Sequence, residues 1–211
     1  MRDYLKWHEA YDDPSSDLSW RLGQAQAYIE DALDRVAEPV VVLSLCAGDG
    51  RDLLQVLAER DDSSRVRATL IELHPDLAQR ARAFAADADL TGVTVLTGDA
   101  GNTTAYAGSV PADLVIMMGI FGNISDDDVH RTIQTAPQLC RPGAILLWSR
   151  STNGTDHNRS VRGWLADSGF TELNYQEFDQ SEGERAALGS ARYDGQLQSL
   201  IPGRQLFTFL Q

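Results

Sequence analysis

From Val40 onward the chain alternates short apolar runs with segments whose apolar residues recur at helical spacing. Val40–Leu45 is β-branched and lacks polar alternation, the mark of a strand covered on both faces. Gly48-Asp49-Gly50 then turns the chain, and Arg51–Glu59 reads as a helix with Leu53, Leu54 and Leu57 inward. Further strands are predicted over Arg67–Glu72, Val93–Leu96, Asp113–Met117 and Ala144–Trp148. Pro75 opens a helix over Asp76–Ala86. Ser125 caps another, with Asp126, Asp127 and Asp128 in its first turn, where the helix dipole favours negative charge. A helix over Asn158–Asp167 stops near Gly169. Phe170–Phe178 and Gln205–Leu210 complete the strands. The long polar connection between them, Asp179–Arg204, is either a functional loop or a disordered one.

Two segments precede the first strand. Tyr4–Tyr11 reads as a short helix rich in aromatics, and Ser15, Ser16 and Asp17 cap a longer one. The longer helix carries Leu18, Leu22, Ala25, Ile29, Leu33 and Val36 at helical spacing and is stopped by Pro39. Strands alternating with helices require an α/β architecture, a doubly wound, mostly parallel sheet with helices on both faces. Residues 1–38 form an N-terminal helical extension, expected to act as a lid, and residues 39–211 form the single domain.

Composition narrows the function. The 211 residues are 43% hydrophobic and 23% charged, as in a globular protein. The formal net charge of −13 repels phosphate backbones, which argues against nucleic acid and for a small-molecule partner. No apolar run approaches the roughly 20 residues of a membrane span, and the first residues lack a signal peptide's apolar stretch, so the expectation is a cytoplasmic protein with no membrane partner. Cys46 and Cys140 sit in apolar stretches and read as reduced thiols. The scattered His residues give no metal-ligand spacing. The oligomeric state is not legible.

In an open parallel sheet, ligands bind beyond the carboxyl ends of the strands. The first such end is Cys46-Ala47-Gly48-Asp49-Gly50-Arg51-Asp52, whose glycines permit a tight turn and close approach of a ligand to the backbone. The second is Ile71-Glu72-Leu73, an acid suited to accepting hydrogen bonds from ribose hydroxyls. The third is Gly98-Asp99-Ala100, with a carboxylate that suits an adenine amino group. The fourth, Met118-Gly119-Ile120-Phe121-Gly122-Asn123, offers backbone carbonyls and an aromatic as pocket lining.

In this order the stretch Val40–Ser149 resembles a class I S-adenosylmethionine-dependent methyltransferase. Val42–Gly50 is similar to the family's strand and glycine turn, Glu72 to its ribose-binding acid, and Gly98-Asp99-Ala100 to its adenine-contacting motif. Leu139-Cys140-Arg141-Pro142-Gly143-Ala144 is similar to its run into the fifth strand. The resemblance implies a Rossmann-like, seven-stranded sheet with an antiparallel last strand, and S-adenosyl-L-methionine as cofactor. The implied cofactor residues are Cys46, Ala47, Gly48, Asp49, Gly50, Asp52, Glu72, Leu73, Asp99, Ala100, Gly119, Ile120 and Phe121.

Two positions depart from the pattern. Cys46 replaces the first glycine, and Ser44 stands where the family usually places an acid that helps organise the methionine end. Asp52 or the N-terminal extension is expected to take over that task. The Asn/Asp-Pro-Pro-Tyr motif of enzymes acting on DNA and protein is absent after the fourth strand, which argues against methylation of an amide or a base amine. His157 and Tyr11 are the candidate bases, while His74 and His130 read as structural. A nicotinamide-dependent oxidoreductase would need a third glycine where Leu53 stands. A cofactor-binding protein without catalysis is the remaining alternative.

Overall fold

The computed structural model describes residues 17–36, 39–152, 157–179 and 185–210. Tyr4–Tyr11, and with it Tyr11, lies outside the described residues, and of the extension expected to act as a lid residues 17–36 are described. The helices are α1 (Asp17–Arg35), α2 (Arg51–Glu59), α3 (Pro75–Asp87), α4 (Asp126–Thr135) and α5 (Asn158–Asp167). The strands are β1 (Val40–Leu45), β2 (Val66–Glu72), β3 (Val93–Thr97), β4 (Ala112–Met117), β5 (Cys140–Thr152), β6 (Phe170–Asp179) and β7 (Arg185–Tyr193). They form one sheet in the order β3-β2-β1-β4-β5-β7-β6, in which β7 runs antiparallel to both its neighbours. This is the Rossmann-like methyltransferase fold that the resemblance implies.

Both faces of the sheet are covered, so the central strands are mostly apolar. One core joins Val40, Val42 and Leu70 to Leu53 and Leu54 of α2 and Ala78 and Ala81 of α3. Ile29 and Leu33 of α1 are fully buried in the same core, so this helix is packed as part of the sheet's covering layer. The other core joins Leu43, Val115 and Leu146 to Val129 and Ile133 of α4 and Val161 and Leu165 of α5. Helix starts follow their local chemistry. The Ser125 side chain accepts from the Asp128 N–H at 3.1 Å, and His74 caps α3 just before Pro75. Among the described residues no helix is long and apolar enough to cross a membrane.

The last strand differs from the expectation. Arg185–Tyr193, inside the stretch expected to be a connection, is β7, while Gln205–Leu210 lies outside the sheet. The sequence Ala-Ala-Leu-Gly-Ser-Ala lacks the β-branched and aromatic residues that mark a strand, so tertiary packing overrides propensity here. The reason is the size of the neighbours. Trp148 of β5 and Tyr175 of β6 stack across β7 with ring centroids 6.0 Å apart. A Cβ on Gly189, which lies between them in register, would stand 2.5 Å from the Trp148 ring.

Gly189→Val is therefore expected to overpack this layer and destabilise the fold by about 1–3 kcal/mol. Thermal unfolding would show it as a drop of about 2–4 °C per kcal/mol. An unchanged midpoint would mean that the indole does not depend on the missing side chain.

Candidate active site

The carboxyl end of β1 leaves the sheet through residues with positive φ: Cys46 at 54°, Gly48 at 60° and Gly50 at 72°. The Ala47 N–H donates to the Ile71 carbonyl at 3.0 Å, and Gly50 returns a turn to the Ala47 carbonyl at 2.9 Å. Gly50 then starts α2, where a Cβ would meet Leu70 Cδ2 at 2.7 Å and Leu54 Cδ1 at 2.9 Å. Glycine at this position serves the turn and the packing under it. Cys46 adopts the left-handed conformation without being glycine, at a strain of about 1–2 kcal/mol. Burial raises its thiol pKa, with the Glu72 and Asp99 carboxylates adding, so it is a poor nucleophile.

Glu72, at the end of β2, is only 8% exposed. Its Oε2 accepts from the Gly48 N–H and its Oε1 from the His74 N–H, each at 2.8 Å. A carboxylate has about four acceptor positions, so each oxygen keeps capacity for a ligand. Beside it, Leu73 is 67% exposed, a large apolar side chain on the wall of a cavity. Across that wall stands Ala100, next to Asp99, whose Oδ1 accepts from the Gly101 N–H at 2.7 Å.

The cavity has a volume of about 760 Å³, within the usual range for a small-molecule site. It runs from Leu73 and Asp99 past Glu72 and the glycine turn to Met118, Gly119, Asn123 and Ser149. The loop after β4 is fixed there: the Gly119 N–H donates to Ser149 Oγ at 2.9 Å, and Asn123 Nδ2 donates to the Gly119 carbonyl at 2.7 Å. Arg21, Leu22 and Ala25 of α1 close one side, and Gln205 and Phe207–Leu210 close another. Asp49 on its floor is paired with Arg51 at 2.6 Å. Among the described residues no cluster of three or more His, Cys, Asp or Glu is arranged to hold a metal ion.

Residues 42–143 match the family described as a methyltransferase domain. The fold is similar to magnesium protoporphyrin IX methyltransferase from Synechocystis PCC 6803 with bound SAM. The TM-score is 0.67 at 13% identity, over 90% of this chain and 90% of that one. It is also similar to precorrin-6y C5,15-methyltransferase from Geobacter metallireducens GS-15, with TM-score 0.59, 12% identity and coverage of 79% and 86%. M. jannaschii TYW2 in complex with AdoMet gives TM-score 0.53 at 15% identity over 80% of this chain and 75% of that one. No curated protein sequence matches. Over residues 42–143 the chain is similar to a methyltransferase domain, and its fold is that of S-adenosylmethionine-dependent methyltransferases.

Most residues expected to hold the cofactor line this cavity: Cys46, Ala47, Gly48, Asp49, Asp52, Glu72, Leu73, Asp99, Ala100 and Gly119. Gly50 does not, because it sits beneath the turn. Ile120 and Phe121 are corrections to the expectation. Both are fully buried in the core, where Phe121 packs on Trp148 with centroids 6.1 Å apart. His157 stands outside the lining as well, with Nδ1 3.1 Å from Asp126 Oδ2, while Asp126 Oδ1 accepts from the buried Arg150 at 2.7 Å. Arg21, Asn123, Ser149 and the Gln205–Leu210 segment were missed. For Arg21 a signal existed: it is a charge on the same helical stripe as Leu18, Leu22 and Ala25.

If conformation rather than thiol chemistry is what the turn requires, Cys46→Gly binds S-adenosylhomocysteine within about threefold of wild type, a difference of less than 1 kcal/mol. Cys46→Val, β-branched in a left-handed position that Cys46 already occupies under strain, is expected to unfold at a lower temperature than wild type. Calorimetric titration and thermal unfolding of both variants test this. Loss of binding in the glycine variant would assign the thiol a direct role.

Proposed function

We propose that the protein transfers the methyl group of S-adenosylmethionine to a small organic acceptor held in the same cavity. The observation that carries this reading is the continuity of one cavity from the glycine turn, Glu72 and Asp99 to the wall of α1, the loop after β4 and Ser149 of β5. The net charge of −13 supports a small acceptor over a nucleic acid.

In this reading the ribose hydroxyls donate to the remaining acceptor positions of Glu72, and the adenine lies against Leu73 with its amino group toward Asp99. Apolar Leu73 left exposed inside a cavity fits a flat ring as partner. Ser44, in the place of the usual acid, is 1% exposed and cannot reach the methionine end. We assign that end to two charged residues of the lining, Arg21 for the carboxylate and Asp52 for the ammonium. The group supplies an activated methyl and its own leaving group, so the protein's task is alignment and exclusion of water. Ser149 and Asn123 hold the Gly119 backbone rigid, and Met118, Phe209 and Leu210 make an apolar wall beside it.

S-adenosylhomocysteine is expected to stabilise the protein thermally, by about 2.7 kcal/mol at a hundredfold excess over Kd. The 2′-deoxyribose form should bind more weakly by about 1.5–3 kcal/mol, the value of a hydrogen bond to a charged group. Equal affinity for both forms would remove Glu72 from the ribose. Absence of stabilisation at millimolar ligand would overturn the cofactor assignment.

Since His157 stands outside the cavity, His157→Ala should reduce kcat by less than tenfold. A general base is worth roughly 10²–10⁴, so a loss of that size in single-turnover methylation would restore His157 as the base.

A further inference from the structure

After β7 the chain crosses back over the carboxyl ends of the parallel strands. Its path is held by many backbone contacts. The Thr103 N–H donates to the Arg204 carbonyl at 2.9 Å, the Leu206 N–H to the Gly101 carbonyl at 2.7 Å, and the Leu210 N–H to the Asn123 carbonyl at 2.8 Å. The approach at Gly101 is close enough that a Cβ would stand 2.4 Å from the Phe207 carbonyl oxygen. Phe207 itself is 3% exposed, so the strap is anchored in the core at its middle.

This path delivers Gln205 to the carboxylate assigned to adenine. Gln205 Nε2 donates to Asp99 Oδ2 at 3.0 Å and to the Phe207 carbonyl at 2.8 Å. An amide nitrogen has two hydrogens, so both are used, and the second contact ties the first to the anchored part of the strap. Asp99 Oδ1 is held by the Gly101 N–H. The carboxylate is thereby gripped at both oxygens, with its remaining acceptor positions beside the cavity that Asp99 and Gln205 both line. Without the Gln205 donor, one oxygen of a solvent-exposed carboxylate would be free to rotate away from the ring.

We propose that Gln205 is a positioning residue of the cofactor site, fixing Asp99 so that it accepts from the 6-amino group of the purine and discriminates against purines that lack it. The C-terminal strap thus carries part of the cofactor specificity. The inference rests on the reading that Asp99 faces the adenine.

The test is calorimetric titration of the full chain with S-adenosylhomocysteine and with its analogue bearing hydrogen in place of the 6-amino group. Wild type should prefer the amino form by about tenfold or more, since 1.4 kcal/mol is a factor of ten. Gln205→Ala and Gln205→Met should each cut that preference by about fivefold, with binding of the 6-hydrogen analogue within about twofold of wild type. The methionine keeps the side chain's length and lacks the amide's hydrogen-bonding groups, so it separates hydrogen bonding from packing of the strap. Equal weakening of both ligands would make Gln205 merely structural and overturn the proposal, as would an undiminished preference in Gln205→Met. Asp99→Ala tells the two layers apart. If it abolishes the preference while the Gln205 variants keep it, only the role of Gln205 falls. If Asp99→Ala keeps the preference, the assignment of Asp99 to adenine falls, and the proposal with it.

Discussion

The Glu72 carboxylate ties the carboxyl ends of β1 and β2 together, and the site is organised around that tie. It is almost wholly buried, and each oxygen holds a backbone N–H, one in the glycine turn and one at the entry to α3. Hydrogen bonds to an ionised acceptor are about twice as strong as neutral ones, and buried polar groups are costly to leave unpaired. The same carboxylate therefore fixes the distance between the turn and the Leu73 wall. A ligand that adds its own donors to Glu72 completes a coordination already half made, without moving either loop.

Around this tie the cavity is assembled from parts far apart in sequence. Arg21 and Leu22 come from the first described helix, Ser149 from the end of β5, and Gln205 and Phe209 from the closing strap. Each is held by contacts that have a structural purpose of their own: the buried Ile29 and Leu33 for α1, the Gly119–Ser149 bond for the β4 loop, and the Gly101 and Asn123 contacts for the strap. For a reaction in which alignment supplies most of the rate, rigidity of these walls matters more than any one reactive side chain. The pairing of His157 with Asp126, beside buried Arg150, belongs to the packing of α4 and α5 against β5.

The positions that diverge from the family pattern are informative for the same reason. Cys46 takes a left-handed backbone that glycine would adopt freely, so the turn is dictated by its surroundings and not by local preference. Ser44 is buried within β1, while the charged residues Arg21 and Asp52 line the cavity.

The sequence by itself determined β1 to β6, their helices and most of the residues that line the cavity. Parallel strands buried on both faces must be continuous apolar runs, and their ligand residues fall at the ends of those runs, where Gly48, Glu72 and Asp99 stand. Only the tertiary structure decided the rest. Arg185–Tyr193 became a strand because small residues fit between Trp148 and Tyr175, a partnership that no local pattern encodes. Gln205–Leu210 has strand-like residues but was drawn across the cavity by Gly101 and Asn123. Ile120 and Phe121 turned into the core because burying their apolar surface beside Trp148 outweighs any contact open to them at the cavity.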